Sequence, residues 1–330
     1  MSDLSLSMAC GPYDRMEALR YGHIRPDDIE LNYHTVMNPH QIFARMVATE
    51  EFDVSEMSAS LYLTQRGRGV FPFIAIPVFP SRVFRHGNIY LNRNSGIESP
   101  KDLEGKRVGL QEYRQTAAVW IRGILRDEYD VDTDTIDWFE GGTNEPRKHN
   151  PDMDIRPAKE VSIARLADDD TLSDALEAGR IDCVLGAMKP ASLQRADHVA
   201  RLFPDYRAVE RDYFARTGIF PIMHTVVFRE KLYDENPWIA AAMYRACEES
   251  KARAAAEMAF TGALRTMSPW LPADVEEAET LFGGDAWPYG LEPNRAHLET
   301  LVRYLVEEGF LAEAPKLDDL FIDVSMPHQL

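Results

Sequence analysis

Residues 96–110 read GIESPKDLEGKRVGL, and they contain the clearest indication of the fold class. Ser99 and Pro100 are typical of the first residues of a short capped helical turn. The apolar residues at 107–110 then predict a strand. Residues 116–129 follow with the apolar spacing of an amphipathic helix. A strand followed by a helix is the repeating unit of α/β folds.

The alternation extends to both sides of this stretch. Strands are predicted at 4–9, 29–33, 52–54, 73–78, 89–91, 181–185 and 225–228, and helices at 13–21, 38–50, from 58, 172–178 and from 237. Residues 140–159 are polar and aperiodic, which predicts a surface segment. The pattern favours an α/β fold whose mixed or parallel sheets are flanked by helices. We expect two lobes, one formed by residues 1–92 with 222–330 and the other by 93–221, with a ligand cleft at the hinge.

The charge of the chain restricts its partners. Its 330 residues include 36 Lys and Arg against 54 Asp and Glu, a formal net charge of −18. Such a surface repels nucleic acid and anionic membranes, so neither is an expected partner. No apolar run approaches the roughly 20 residues that span a bilayer, and the first residues lack the pattern of a secretory signal. The three cysteines are not spaced for a disulfide framework or a zinc site, and we expect a cytoplasmic protein.

Several stretches resemble a known family. Residues 96–110 are similar to the start of the second lobe in type II periplasmic binding proteins, a fold group that also includes cytoplasmic enzymes. The more specific stretches are ACGPYDR (9–15), FDVSEMSASLYL (52–63), FPFIAIPVFPSRVFRHGNIYLN (71–92), EYRQTAAVWIRGILRDEY (112–129), YFARTGIFPIMHTVVFR (213–229) and GGDAWPYGLEPNR (283–295). Together they resemble the bacterial 4,5-dihydroxyphthalate decarboxylases over nearly the whole chain. The resemblance implies a type II periplasmic-binding-protein-like fold and removal of one carboxylate, without an oxidant, from a dihydroxylated aromatic dicarboxylate to give protocatechuate.

A small anionic aromatic substrate of this kind requires cationic groups. Residues 79–126 contain nine Lys or Arg and four Asp or Glu, a basic segment within an acidic chain. Arginine presents a planar fork of donors that matches a carboxylate. Four arginines of this segment are therefore predicted to bind the substrate: Arg82, Arg85, Arg114 and Arg122. For each of them, pairing with a surface acid is the alternative.

Two helix N-termini are further candidates, because free backbone N–H groups and the helix dipole favour a carboxylate there. One contains Ser58 and Ser60, and the other contains Gln115 and Thr116. Ordinary helix capping is the alternative for both.

Three residues are candidates for proton transfer. His224 directly precedes a predicted strand, and histidine exchanges protons near neutral pH. His86 is the second candidate, and Glu112 is the third, since desolvation would raise the pKa of its carboxyl. Tyr13 and Asp14 follow the first strand and are predicted to contact a phenol of the substrate. Structural packing is the alternative for the histidines and for Tyr13.

No cofactor or metal is expected. The nine histidines have no paired metal-binding spacing, and no glycine-rich nucleotide motif occurs. The alternative functions are a solute-binding protein without catalytic activity and another enzyme of this fold, such as one of thiamine-pyrimidine synthesis, for which no cysteine-rich iron motif is present. We also expect a homo-oligomer, with residues 287–290 interpreted as lobe packing or a subunit contact.

Overall fold

The structure, a computed structural model, describes residues 4–324, without the side chain of Asp152. The chain forms two compact units. The first contains the residues up to Arg82, residues 224–298 and those from Pro315 onward, and the second contains residues 83–223 and 299–314. The predicted lobes differ from these units in three segments, because residues 83–92, 222–223 and 299–314 belong to the second unit.

The strands are short and the helices vary in length. In chain order, the strands are β1 (Leu4–Cys10), β2 (Ile29–Thr35), β3 (Val54–Ser58), β4 (Phe73–Arg82), β5 (Ile89–Asn92), β6 (Arg107–Leu110), β7 (Asp137–Glu140), β8 (Ile163–Arg165), β9 (Cys183–Leu185), β10 (Val199–Arg201) and β11 (Ile222–Arg229). The helices are α1 (Glu17–Arg20), α2 (Pro39–Thr49), α3 (Ala59–Gly67), α4 (Thr116–Tyr129), α5 (Leu172–Glu177), α6 (Ser192–Arg195), α7 (Tyr206–Thr217), α8 (Glu230–Glu235), α9 (Trp238–Ala259), α10 (Leu271–Phe282) and α11 (Arg295–Glu307). None of the helices within residues 4–324 has the length and apolar character needed to cross a membrane.

The sheet of the first unit has the strand order β2-β1-β3-β11-β4. β1 is parallel to β2 and β3, whereas β11 is antiparallel to β3 and places His224 opposite Ser58. The beginning of β11 therefore lies beside the ends of β1 and β3. Polar residues from three distant parts of the chain meet at this one edge of the sheet.

The middle of this sheet is fully enclosed. All five residues of β3 are buried, including Ser55, Glu56 and Ser58. The apolar core beside it combines strand residues such as Met8 with residues of α9 such as Met243. Buried polar side chains in such a core need hydrogen-bond partners, so Glu56 is expected to be surrounded by donors.

The sheet of the second unit has the strand order β10-β5-β9-β6-β7-β8. β6 is parallel to β7 and β9, β7 is parallel to β8, and β5 and β10 run antiparallel to their neighbours. Three of the parallel strands, β6, β7 and β8, end near the segments that begin at Gln111, Gly141 and Leu166. These segments line a cavity of this unit.

Two sequence predictions need correction at the level of elements. The strand predicted at 52–54 runs instead from Val54 to Ser58, and the helix predicted from 58 begins at Ala59, with Ser58 as its N-cap. The polar segment 140–159 follows a strand that was not predicted, β7, and precedes another, β8. β3 was misplaced because its sequence, VSEMS, has three polar residues and yet is buried on both faces, so neither an apolar run nor an alternation marks it as a strand.

Candidate functional site

A buried carboxylate forms the centre of the candidate site. Glu56 has no exposed surface, and its Oε1 accepts hydrogen bonds from the Tyr13 hydroxyl and from Nδ1 of His224, both at 2.5 Å. Its Oε2 accepts the backbone N–H of Gly11 at 2.9 Å, and the Sγ of Cys10 lies 3.6 Å away. Both carboxylate oxygens of Glu56 are thus committed to donors from β1, the loop after it and β11.

The sheet register explains this convergence. Glu56 is opposite Val226, so His224, two residues earlier on β11, lies diagonally across from it on the same face. Ser58, two residues after Glu56, shares that face as well, because side chains alternate along a strand. Gly11 and Tyr13 reach Glu56 because β1 ends at Cys10 beside β3.

Gly11 permits the close approach of Tyr13. A Cβ atom at Gly11 would lie 2.8 Å from Cε2 of the Tyr13 ring, which is closer than side chains tolerate. The carbonyl of Gly11 also accepts the Tyr33 hydroxyl at 3.0 Å, which fixes the loop after β1. The glycine in the ACGPYDR stretch is therefore required to bring the Tyr13 hydroxyl to Glu56.

The electrostatics of the cluster favour an ionised Glu56. Burial raises the pKa of Glu56, but the charge and hydrogen bond of His224, together with donors from Tyr13 and Gly11, outweigh burial and hold it below its usual range. Burial and the Glu56 charge raise the pKa of Tyr13 and of Cys10. Tyr13 and Cys10 therefore stay protonated at neutral pH, and Glu56 is the anion of the group.

Only one ring nitrogen of His224, Nδ1, is hydrogen-bonded to Glu56. Nδ1 carries the proton donated to the carboxylate, so Nε2 is the nitrogen free to exchange protons. Among residues 4–324, none forms a hydrogen bond to Nε2, and the side chain is 18% exposed. Phe43 packs its ring edge-on to the imidazole at 5.1 Å, which helps to fix the ring plane. This arrangement suits a group that gives or takes one proton at a defined position.

Four other predicted residues also lie in the first unit. Ser58 lies opposite His224, and its hydroxyl is 3.3 Å from that of Ser60. Oδ1 of Asp14 accepts the backbone N–H of Arg15 at 2.7 Å and its Nη1 at 2.9 Å. Arg82 is buried, and its Nη1 donates to Oδ1 of Asn294 at 2.8 Å. Burial lowers the pKa of Arg82 to about 9.

Glu112, Arg114, Gln115 and Thr116 lie in the second unit, at the N-terminus of α4. Glu112 forms ion pairs with Arg114, at 2.6 Å, and with Arg147. Arg114 is buried and also donates through Nε to the carbonyl of Met153 at 2.6 Å. Gln115 is the N-cap residue and donates from its amide to Gln111, while Thr116 is buried in the first turn. Of these four residues, Glu112 and Arg114 line the cavity of the second unit, whose volume is about 40 Å³.

Arg85 and Arg122 are buried in the second unit among protein groups. Nε of Arg85 contacts Sδ of Met223 at 3.3 Å, and burial lowers its pKa to about 10. Arg122 has no exposed side-chain surface, and it forms an ion pair with Glu308 and donates to the carbonyl of Tyr113 at 2.7 Å. Both guanidinium groups therefore contact other protein atoms of that unit.

His86 lies in an aromatic cluster of the second unit. Its ring centroid is 5.2 Å from that of Tyr213, 5.5 Å from that of Phe203 and 6.2 Å from that of Tyr129. Within the described part of the chain, neither ring nitrogen has a hydrogen-bond partner. Burial, with the nearby charge of Arg216, lowers the pKa of His86 to about 4, so the ring is neutral at pH 7.

Glu56 is the site residue that sequence reasoning missed. It stands in the FDVSEMSASLYL stretch between Val54 and Met57, and the misplaced strand left it in a turn. An acidic residue within an otherwise buried segment was the available signal, because such a residue is retained only with partners. In residues 4–324, no group of three or more His, Cys, Asp or Glu side chains is arranged to hold a metal.

Comparison with solved structures identifies the fold. The chain is similar to a periplasmic sulfonate-binding protein from Methylobacillus flagellatus, with a TM-score of 0.56, 13% identity and coverage of 98% of this chain and 92% of that one. It is equally similar to the periplasmic aliphatic sulphonate binding protein SsuA from Escherichia coli, with a TM-score of 0.56, 14% identity and coverage of 100% and 94%. The predicted α/β, periplasmic-binding-protein-like fold is confirmed.

Comparison of sequences identifies the family. No protein-family model matches the chain. A 4,5-dihydroxyphthalate decarboxylase from Comamonas testosteroni is 35% identical over 327 residues, which cover 99% of this chain and 98% of that protein. A 4,5-dihydroxyphthalate decarboxylase from Pseudomonas putida is 34% identical over 215 residues, which cover 65% of this chain and 83% of that protein. The resemblance seen in the sequence is confirmed, and this chain belongs to the 4,5-dihydroxyphthalate decarboxylase family.

Proposed function

We propose that this protein is a carboxy-lyase that converts 4,5-dihydroxyphthalate, or a close analogue, to protocatechuate and CO2. Family membership over nearly the whole chain supports the reaction. The main support for the location of the active site is the hydrogen-bonded group of Tyr13, Glu56 and His224. It supplies an oriented proton-transfer residue in the first unit.

The chemistry needs no external electron acceptor. The substrate hydroxyl para to the departing carboxylate ionises, and its electron density moves to the ring carbon that bears this carboxylate. A proton adds to that carbon and gives a dienone. The C–C bond then breaks, CO2 leaves, and the bonding electron pair returns to the ring, which becomes the phenolate of protocatechuate and takes up a proton. One proton is consumed for each CO2 released.

His224 is assigned the proton transfer to the ring carbon. Its Nε2 is accessible, while Nδ1 is held by Glu56. Glu56 acts as a positioning residue, because a buried carboxylate on one ring nitrogen fixes the tautomer and the orientation of the other. Tyr13 donates to the same carboxylate oxygen of Glu56, and its raised pKa keeps it a hydrogen-bond donor. General acid–base transfer of this type contributes about 10²–10⁴-fold to a rate.

The direct test is turnover of 4,5-dihydroxyphthalate by the purified protein, followed by the absorbance of protocatechuate and by released CO2. We expect one product molecule for each CO2, and a His224→Ala variant whose kcat is lower by about 10²–10⁴-fold. His23→Ala is the matched control, because His23 is an exposed histidine of the same unit. Stoichiometric binding of the compound without any product would replace this proposal with a solute-binding function.

We further propose that the protein works in the cytoplasm. The three cysteines, Cys10, Cys183 and Cys247, are buried as free thiols, which is typical of a reducing compartment. Cell fractionation with an antibody to the native protein tests this. Recovery in the periplasmic fraction would refute it.

A further inference from the structure

An arginine beside the Tyr13–Glu56–His224 group packs against two aromatic rings. The guanidinium carbon of Arg15 lies 4.4 Å from the centre of the Tyr13 ring and 4.2 Å from that of the Trp287 ring. Cation–π contacts of this length stabilise a guanidinium and restrict its plane. Trp287 is fixed in turn, because its indole N–H donates to the carbonyl of Phe79 at 2.9 Å.

Hydrogen bonds further restrict the orientation of the Arg15 side chain. Nε of Arg15 donates to the carbonyl of Pro80 at 2.6 Å, and Nη1 donates to Asp14 at 2.9 Å. Nη2 differs, because no residue in the described range 4–324 accepts a hydrogen bond from it, and it is not among the buried atoms that lack a partner. The side chain as a whole is only 16% exposed. The structure therefore presents an immobilised guanidinium with one donor edge open to a ligand.

The Tyr13 side chain connects this edge to the proton-transfer residue. One face of its ring packs on Arg15, and its hydroxyl donates to the same Glu56 oxygen that accepts from His224. The positions of the guanidinium and the imidazole are therefore fixed relative to each other through a single rigid side chain. Such a guanidinium and imidazole can together bind one group of a substrate and transfer a proton to another.

We propose that Arg15 binds the carboxylate that the substrate retains, and that Trp287 and Asp14 hold the guanidinium ready for it. This inference rests on the proposed function and adds the residue that distinguishes an aromatic dicarboxylate from a catechol without carboxylates. Charge-assisted hydrogen bonds to carboxylates are among the stronger ones in proteins, and a guanidinium fixed in advance loses little conformational entropy on binding.

The test measures binding without turnover, using phthalate and catechol as separate probes in titration calorimetry. Phthalate carries both carboxylates but no phenol, so it cannot react by the proposed route, and catechol carries the phenols alone. We expect Arg15→Gln to raise the Kd of phthalate by about 10- to 100-fold and to leave that of catechol unchanged. Arg25→Gln is the matched control, because it removes the same charge from an exposed position of the first unit, and both Kd values should stay at those of the wild type.

Two results would overturn the proposal: wild-type affinity of Arg15→Gln for phthalate, or an equal loss of affinity for both probes. Arg15→Lys keeps the charge without the fork, and its phthalate Kd should fall between those of the wild type and Arg15→Gln. It also provides a folded protein if the glutamine variant does not fold. Phthalate binding that depends on Arg15 in a protein that does not turn over 4,5-dihydroxyphthalate would refute the decarboxylase proposal and leave Arg15 as a carboxylate-binding residue.

Discussion

Replacing Glu56 with glutamine tests the candidate site most directly. The substitution keeps the shape of the side chain and removes its charge. In the structure, Tyr13 and His224 donate to one oxygen, and the Gly11 N–H donates to the other. A glutamine has one acceptor oxygen and one amide donor, so either orientation turns N–H donors toward each other. At least one buried donor loses its partner.

The expected loss of stability follows from the number of buried donors that lose their acceptor. An unsatisfied buried donor lowers the free energy of unfolding by about 1–3 kcal/mol. The effect on catalysis is larger, because His224 loses both its orienting acceptor and its neighbouring charge, and we expect kcat to fall by about 10²–10⁴-fold. The KM should change much less, because Glu56 is buried beneath the groups that meet the substrate.

The assay combines initial rates with denaturant unfolding at several pH values. Because the pKa of folded Glu56 lies below its value of 4.5 in the unfolded chain, its stabilising effect is complete above about pH 4.5 and is lost as the pH falls through the folded pKa. The stability difference between the wild type and Glu56→Gln should shrink over that range. Glu51→Gln, at an exposed ion pair with Arg45, is the control. Wild-type kcat and unchanged stability of Glu56→Gln would show that Glu56 does not orient His224.

Three further predictions concern the surrounding fold. Gly11→Ala should displace Tyr13, whose ring lies 2.8 Å from the added Cβ, and lower kcat by up to about 100-fold in steady-state assays; unchanged kinetics would contradict this. His86→Phe should keep kcat and reduce the loss of stability between pH 6.5 and 4, because the wild-type histidine is neutral when folded, with a pKa of about 4, and charged when unfolded; an equal fall in the denaturation midpoint of both proteins over this pH range would exclude this. Arg122→Met should lower the free energy of unfolding by about 3–5 kcal/mol, since Glu308 would lose its principal buried partner, and an unaltered denaturant midpoint would argue against it.

Much of the fold could be predicted from the sequence, because its signals are local. The helix over 116–129 and the strand over 107–110 have the bounds that the apolar spacing indicated. β3 could not be placed in this way, since a strand buried on both faces has no polar side to reveal its period. The error moved Glu56 out of the sheet and hid its relation to His224.

The ion-pair partners of the arginines could not be predicted from the sequence. A count of charges identified residues 79–126 as basic, but it could not tell which guanidinium groups have partners within the protein. The acid that pairs with Arg122 is Glu308, 186 positions away. Arg15 lies outside the basic segment, and only the fold shows that Trp287 packs on it. Pairing between distant positions depends on the tertiary structure, which local patterns do not contain.

The insertion of β11 between β3 and β4 has a consequence for synthesis of the protein. The first 82 residues supply four of the five strands of the first sheet, yet β3 and β4 are separated by a strand that emerges only after residue 221. Until then the nascent chain has a gap in the middle of its sheet, and two strand edges that attract other chains. His224 is on the strand that fills this gap, so completion of the sheet and assembly of the proton-transfer pair are the same late event on the ribosome.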